Sequence, residues 1–423
     1  MVVLLVIGSK MSQTRSNRNV KKIVSWGLYD WASSPVPTLH ATFIFSVYFA
    51  TVVMPEGGSA AWAWMTSAAA LAVAIAAPFL GKIADNRGAS RRLLAIATFG
   101  GVLATGFLWF VKPDASFVIL AIALSTISIF MMEISFVFYN ALLPGIARES
   151  EYGRVSGMAW GLGYAGAIIA LAIVLTVFVM PETPPFGLDK ANAEHIRITM
   201  VFAAVWLAIF AIPLFLFVPE SKPKQSQLSF LSQIKQSVKT AAAIPGMIRF
   251  LIARMLFTDG LITLFAFGGI YAAKIFGFTQ TMVLIFGITL NITAGIGAVV
   301  SGWADDKFGS IVVMRISLVA LIILGSIAIL APNEMTFWGA GALLGIFIGP
   351  LQSSARVFVA RKAPESERAS MFGLMMLSGK ATSFVGPLCY GLLVASFGTD
   401  RAGMTIVILL LAGGLYLLPR RQS

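Results

Sequence analysis

The sequence predicts an all-α membrane protein of twelve transmembrane helices in two pseudo-symmetric six-helix bundles. Three observations carry that prediction. Of 423 residues, 58% are hydrophobic and 12% charged, with a mean hydropathy of +0.87, too little polar side chain to cover a soluble globule. The apolar residues fall in twelve runs of about 20, the length an α-helix needs to cross a bilayer. Finally, one pattern closes a long apolar run twice, as GKIADNRG at Gly81 to Gly88 and as GWADDKFG at Gly302 to Gly309. Its Ala-Asp pairs stand 305 − 85 = 220 residues apart, half the chain, as when one bundle is built twice.

The runs lie at 33–53, 61–80, 93–111, 117–142, 155–180, 198–218, 250–272, 280–301, 312–331, 336–358, 369–396 and 403–418. Each is continuously apolar, without the alternation of a membrane β-barrel. Run 1 opens on YDWASSPVPTLHA and run 7 on TDGLITLFA, which share an Asp followed by Thr-Leu-x-Ala. Run 2 and run 8 end in the repeated pattern. Run 5 carries Gly157, Gly161, Gly163 and Gly166, and run 8 carries Gly287, Gly295, Gly297 and Gly302, small residues that allow close helix packing. After run 4 comes ESEYGRVSG (Glu149 to Gly157), and after run 10 comes ESERASMFG (Glu365 to Gly373). The expected domains are a tail at 1–24, a bundle at 25–218, a linker at 219–248, a second bundle at 249–418 and a tail at 419–423.

Within the linker, Leu231, Ile234 and Val238 recur at helical spacing while Lys222, Lys224, Lys235 and Lys239 take other faces. That pattern suits either an interfacial helix on the cytoplasmic leaflet or a solvated connection.

The net charge of +13 is distributed by topology. Loops on the side of the N-terminus hold 23 of the 31 Lys and Arg, including Lys10, Arg15, Arg18, Lys21, Lys22, Lys82, Arg87, Arg91 and Arg92. The opposite side holds only Lys112, Lys190, Arg197, Lys274 and Arg401. This is the positive-inside pattern; it places both termini in the cytoplasm and accounts for the charge without nucleic acid. A single cysteine, Cys389, and two distant histidines, His40 and His195, point away from a disulfide framework, a metal site or any other cofactor. The opening MVVLLVIG lacks the basic region and cleavage site of a signal peptide, and Met11 is an alternative start. Gly373 to Lys380 imitates a phosphate loop with one residue too many between its glycines and Ala381 after the Lys, inside an apolar run, so no ATP site is expected. Neither GxSxG nor HExxH is present, so an enzyme is not expected either.

Gx[IL]ADxxG between runs 2 and 3, echoed between runs 8 and 9, resembles the signature loop of the major facilitator superfamily. WGLYDWASS (Trp26 to Ser34), FYNALLPGIA (Phe138 to Ala147), GRVSGMAWGLGYAG (Gly153 to Gly166), LQSSAR (Leu351 to Arg356) and LSGKATSFVGP (Leu377 to Pro387) are similar to the vacuole effluxer branch of that superfamily. The resemblance covers about residues 22 to 418 and departs from the family at Ser33, Pro35 and Pro37. It implies a bacterial inner-membrane carrier whose halves alternate access to a central site, with spans 1 and 7 facing the cavity. The fungal members are implicated in amino-acid release.

Ionisable groups inside a bilayer cost about 2.5 to 3.5 kcal/mol each on insertion scales, so each needs a partner or a wet cavity. The candidates for a substrate or proton pathway are Asp30, Glu133, Asn140, Asp259, Asn291, Gln352, Arg356 and Lys380. Glu133 and Asn140 share a helix face, and a carboxyl there suits proton exchange or a structural ion pair. Asp30 and Asp259 hold matching places in runs 1 and 7, as path residues or as helix-end anchors. Five residues separate Arg254 from Asp259, a rotation of about 140° that weakens their pairing. Lys380 suits an anionic group, with Asp30 or Glu133 meeting an ammonium, so that a zwitterion is held at both ends. A cytoplasmic gate is expected from Gly81, Asp85, Arg91, Asp305 and Gly309, with the two aspartates accepting from a helix N-terminus or from an arginine of the other half. Arg91 and Arg92 also suit lipid headgroups.

The expected function is secondary transport of a small polar solute, an amino acid by resemblance, moved outward with proton coupling. The expected partners are that solute, the lipid bilayer and protons, with no nucleic acid and a monomeric state. The alternatives are export of amphipathic compounds or lipids, and a sensor that binds a ligand without transport.

Overall fold

A computed structural model describes residues 16–223, 230–278 and 280–419. Lys10, Met11, Arg15, Lys224, Arg420, Arg421 and the opening MVVLLVIG lie outside the described residues, as do the side chains of Leu231 and Ile234. Among the described residues twelve helices are long and apolar enough to cross a membrane. Spans 1 to 6 are Val20–Val53, Ala61–Arg87, Ser90–Phe110, Ala115–Gly145, Glu149–Val179 and Glu194–Phe217. Spans 7 to 12 are Met247–Phe276, Ile285–Phe308, Ser310–Leu330, Glu334–Lys362, Glu365–Phe397 and Asp400–Leu417. Large apolar side chains such as Trp64, Ile119 and Leu216 are exposed on them, as a lipid-facing belt requires. A helix at Phe230–Ala243 occupies the linker, with Ser237 and Ala241 buried and Lys235, Val238 and Lys239 exposed.

Three boundaries differ from the sequence reading. Span 1 begins well before residue 33: a helix runs from Ser16 to Ser33, so Asp30 lies inside it and is buried. Pro35 and Pro37 sit within the span, which widens into a π-helical turn at Pro37–Phe43 and into a second, separate one at Phe49–Val53. Spans 2 and 8 continue through GKIADNR and GWADDKF, so the repeated pattern is helix up to its closing glycine. Gly88 and Gly309 end these helices with φ of +56° and +86°, a backbone that L side chains rarely adopt. Span 11 is discontinuous: one helix at Arg368–Lys380 and another at Val385–Phe397 flank a non-helical turn.

Lipid offers no partner for a bare carbonyl, so the helix ends and proline sites should each find one. Pro35 has no N–H, which frees the carbonyl of Trp31 four residues earlier, and the Trp206 indole of span 6 donates to it at 3.1 Å. At the end of span 3, Arg197 donates to the Trp109 carbonyl at 2.7 Å and lies over the Trp109 ring. Arg401 does the same for span 9, donating to the Ile329 and Ala331 carbonyls at 2.9 and 3.0 Å. Tyr48 of span 1 donates to the Val111 carbonyl after span 3, and Tyr271 of span 7 to the Ile329 carbonyl of span 9, at 3.0 and 2.8 Å. The carbonyls that end span 6 take Arg91, and those that end span 12 take Arg249 and Arg315. The same devices at corresponding places in both halves make the two bundles copies of one design.

The chain separates into two compact units whose borders do not follow its halves. The first comprises 1–73, 83–148 and 162–224, and the second comprises 74–82, 149–161 and 225–423. The second unit therefore includes short lengths of spans 2 and 5 alongside the whole C-terminal bundle.

Trp206→Phe keeps the ring but removes the N–H that satisfies Trp31. An unsatisfied buried carbonyl costs about 1–3 kcal/mol, so thermal unfolding in detergent is expected to show a lowered midpoint. Trp64→Phe, on the exposed belt, is expected to leave it unchanged.

Candidate transport site

In the first unit the polar centre forms where span 1 meets span 4. Trp26 and Tyr139 stack at 4.4 Å between ring centroids, and the Trp26 indole donates to the Tyr139 carbonyl at 3.0 Å. The Tyr139 hydroxyl in turn lies 3.1 Å from the Trp26 carbonyl and 3.0 Å from Asp30 Oδ2. A phenol has one hydrogen, so these two acceptors share it. Tyr29, on the next turn position, meets the Thr98 hydroxyl of span 3 at 2.8 Å. Asp30 is thus held by an aromatic clamp rather than lying at an open entrance. Asn140, buried beside Tyr139 in sequence, has no hydrogen-bond partner for Oδ1 among the described residues, whereas Glu133 is half-buried on the same helix.

In the second unit the charges gather around span 11. Arg254 donates from Nη1 to the Met375 carbonyl at 2.5 Å and to the Ser378 hydroxyl at 3.3 Å, on the first half of that span. Asp259 accepts the Gly386 N–H on Oδ2 at 3.0 Å, on the second half. Arg254 and Asp259 therefore each serve a different piece of span 11. Lys380 closes the first piece at the turn between them. Arg356 of span 10 is buried, with its guanidinium 5.4 Å from the Trp160 ring centroid, and Gln352 one turn earlier is half-buried. Asn291 spends its amide on the Gly287 carbonyl of its own helix at 2.8 Å.

Also within the second unit, glycines bring the ends of spans 2 and 5 onto the C-terminal bundle. A Cβ at Gly373 of span 11 would lie 2.5 Å from the Ala77 carbonyl of span 2, and Gly81 sits as tightly against Ala369. The mirrored contact joins spans 8 and 5: Gly157 abuts the Ala298 carbonyl, and a Cβ at Gly302 would lie 2.8 Å from that of Gly153. Side chains reinforce both contacts. Lys82 pairs with Glu367 at 3.3 Å, both fully buried, and Ser156 meets Ser353 at 3.0 Å between hydroxyls. Asp306 caps the start of span 5, accepting the N–H of Gly153 at 2.7 Å and of Arg154 at 3.0 Å. Arg361 of span 10 donates to Asp305 at 2.6 Å and to Asp306 at 3.1 Å.

Two expectations for the gate change here. Matching Gly81 with Gly302, by their packing on Ala369 and Gly153, makes Asp306, not Asp305, the residue that corresponds to Asp85 in sequence. The extra Ala-Asp register in the second pattern had suggested the neighbouring residue. Asp305 is held by Arg361 and by the Ser310 hydroxyl at 3.0 Å, both in its own half. Arg91 donates to the Val218 carbonyl at 2.9 Å, and Glu220 accepts its backbone N–H at 2.7 Å, so it fastens span 3 to the end of span 6. Asp85 is buried, and Arg92 is exposed.

The family described as vacuole effluxer Atg22 like matches residues 58–420. The chain belongs to that family. Among its relatives, an uncharacterized MFS-type transporter, YxiO of Bacillus subtilis (strain 168), is 24% identical over 412 residues, covering 95% of each chain. Autophagy-related protein 22 of Cryptococcus neoformans var. neoformans is 21% identical over 296 residues, 63% of this chain and 51% of that one. The chain thus spans about half the length of the fungal relatives it matches. Among solved structures, the major facilitator transporter FucP in its outward conformation superposes with a TM-score of 0.76 at 14% identity, covering 96% of this chain and all of that one. The proton:xylose symporter XylE gives 0.74 at 14% identity, covering 95% of each. The fold is that of the major facilitator superfamily.

Several residues that organise the polar clusters within each unit escaped the sequence reading: Trp26 and Tyr139 in the first, and Lys82, Glu367, Asp306 and Arg361 in the second. Trp26 and Tyr139 lie inside the family-like segments WGLYDWASS and FYNALLPGIA, and Glu367 lies in the repeated ESE. Pairing those segments across the chain was the available signal. Nothing marked Arg361 apart from the other basic residues that end a helix.

Arg361→Ala would leave the Asp305 carboxylate, 2% exposed, without its cation. Losing one partner of a buried pair costs about 3–5 kcal/mol, so a large drop in detergent-solubilised stability is expected. Lys239→Ala, exposed on the linker helix, is expected to change stability much less.

Proposed function

We propose that this chain is a secondary transporter of a small polar solute, an amino acid moved out of the cytoplasm, driven by proton exchange through alternating access. The observation that carries this reading is the mirrored pair of glycine contacts, span 2 on span 11 and span 5 on span 8. Each brings backbone against backbone with few side chains between them, so it can part and re-form without repacking a core. Lys82–Glu367, Asp306 on the start of span 5, and Arg361 are the latches that close the cytoplasmic side in this reading. Gly81, Asp85 and Gly309 shape the helix ends that bear them. Charge asymmetry supports a bacterial inner membrane with both termini inside.

The substrate path in this reading is lined by Asp30, Glu133, Asn140, Asp259, Asn291, Gln352, Arg356 and Lys380. A zwitterion meets Lys380 with its carboxylate and Asp30 or Glu133 with its ammonium, while Glu133 and Asp259 carry the proton. The working unit is one chain in a lipid bilayer.

Proteoliposomes loaded with a panel of labelled L-amino acids test this directly. An imposed pH gradient is expected to drive flux of at least one of them well above that of empty vesicles. Glu133→Gln and Asp259→Asn are expected to abolish the gradient dependence while sparing exchange of solute for solute. If both variants keep gradient-driven flux, proton coupling is withdrawn. If only lipophilic probes move, the carrier is an exporter of amphipathic compounds.

Opening the latch has its own signature. Lys82→Ala with Glu367→Ala removes the pair without leaving a lone buried charge, and the double variant is expected to shift the protein toward cytoplasmic accessibility. A cysteine in place of the buried Ser156, a near-isosteric change within the contact of span 5, on a Cys389→Ser background should then react with a water-soluble maleimide several-fold faster.

A further inference from the structure

The break in span 11 has a hydrogen-bond ledger that can be completed. At the start of its second half, the Val385 N–H reaches the Thr382 carbonyl and the Leu388 N–H reaches the Phe384 carbonyl at 3.1 Å, while Pro387 has no N–H. Gly386 is therefore the first-turn donor that needs an outside partner, and it gives its N–H to Asp259 Oδ2 at 3.0 Å. The other carboxylate oxygen is different. Asp259 is 1% exposed, and its Oδ1 has no hydrogen-bond partner among the described residues. Thr258 Oγ1 beside it and Thr382 Oγ1 in the turn are likewise buried without partners.

A proton resolves that account. Bound to Oδ1, it turns an orphaned acceptor into a donor. The Thr263 hydroxyl donates to the Asp259 carbonyl at 2.8 Å, and its oxygen retains acceptor capacity. A Cβ at Gly386 would lie 3.0 Å from Asp259 Oδ1 and would collide with Thr263 Oγ1, so both oxygens rest against the same glycine. The Gly386 bond to Oδ2 is charge-assisted only while the carboxylate is ionised, and the helix dipole favours the anion in the same way. Neutral–neutral bonds are about half as strong.

We propose that Asp259 is a proton-binding carboxyl whose ionised form pins the second half of span 11, and that protonation at Oδ1 releases that half from span 7. The charged and titratable groups on the elements around it are Arg254 on its own helix, Lys380 at the end of the first half, Arg356 on span 10, and Cys389 and Tyr390 on the second half. Span 12 adds Asp400 and Arg401 at its start, where Tyr390 and Lys274 hold the first and the end of span 9 takes the second. Arg254 is engaged with Met375 and Ser378, so the first half stays fastened to span 7 when Asp259 lets go of the second, which Tyr390 still ties to span 12. The released half begins at the turn that carries Lys380. This deepens the transport reading, on which its physiological meaning rests, yet it makes a claim about one helix that needs no substrate to test.

Cys389, the single cysteine, lies on the second half one turn beyond Gly386. Its modification by N-ethylmaleimide in nanodiscs reports how firmly that half is held. Comparing the whole protein with Asp259→Asn at each pH cancels the thiol's own titration. At alkaline pH the unaltered protein is expected to react at least threefold more slowly than the variant, and at acid pH the two rates converge. A ratio that stays constant across the range overturns the proposal. Should the variant not fold, amide exchange over 385–397 in the unaltered protein decides: protection, corrected for intrinsic rates, falls on acidification if the proposal holds and stays level if it does not. Absence of flux in proteoliposomes would retire the transporter reading while leaving either of these results standing.

Discussion

The structure depends on a solvent that cannot hydrogen-bond. In hydrocarbon, each carbonyl released by a proline, a helix end or a break must be met by the protein itself. The chain meets them with side chains from distant spans: Trp206 for the proline of span 1, Arg197 and Arg401 for spans 3 and 9, Arg91, Arg249 and Arg315 for spans 6 and 12. These tertiary bonds fix which spans are neighbours inside each bundle, and the packing follows from them. The basic residues whose asymmetry predicts an orientation in the membrane are, in several cases, the same residues that close helix ends.

A second consequence concerns how buried charge is tolerated. Asp259, Asp306 and Glu220 each accept the backbone N–H of a helix start, while the arginines take the carbonyls of helix ends. Charges inside this protein are therefore matched to backbone dipoles as well as to one another, and Asp306 and Glu220 do both. Such matches are specific to one helix geometry, so moving a helix changes the electrostatic account as well as the packing.

The fold was legible because lipid imposes length and composition on every span, and duplication wrote the same pattern twice. What was hidden has physical causes. Span 1 was started too late because the stretch before residue 33 is rich in polar and basic residues, whereas the helix already runs through it from Ser16. The break in span 11 was missed because the apolar lengths on either side read as one run, although Ser378-Gly379-Lys380, Thr382-Ser383 and Gly386-Pro387 interrupt it. Asp305 was matched to Asp85 because the Ala-Asp dipeptide reads across, but the packing of Gly81 and Gly302 and the spacing to the closing glycines make Asp306 the counterpart of Asp85 in sequence. Pairwise partners such as Trp26 with Tyr139, or Lys82 with Glu367, depend on proximity of residues more than a hundred positions apart.

The wide turns of span 1 carry a mechanical corollary. Each holds one residue more per hydrogen-bonded ring than the α-helix around it. Were such a bulge to migrate by one position, the length it passes over would rotate by about 100° about the axis with little change of end-to-end distance. His40, buried against the Ser125 hydroxyl at 2.9 Å, sits in the first of these turns. A migration of that kind would turn a different set of span 1 side chains toward its neighbours by torsion alone, with no need to tilt.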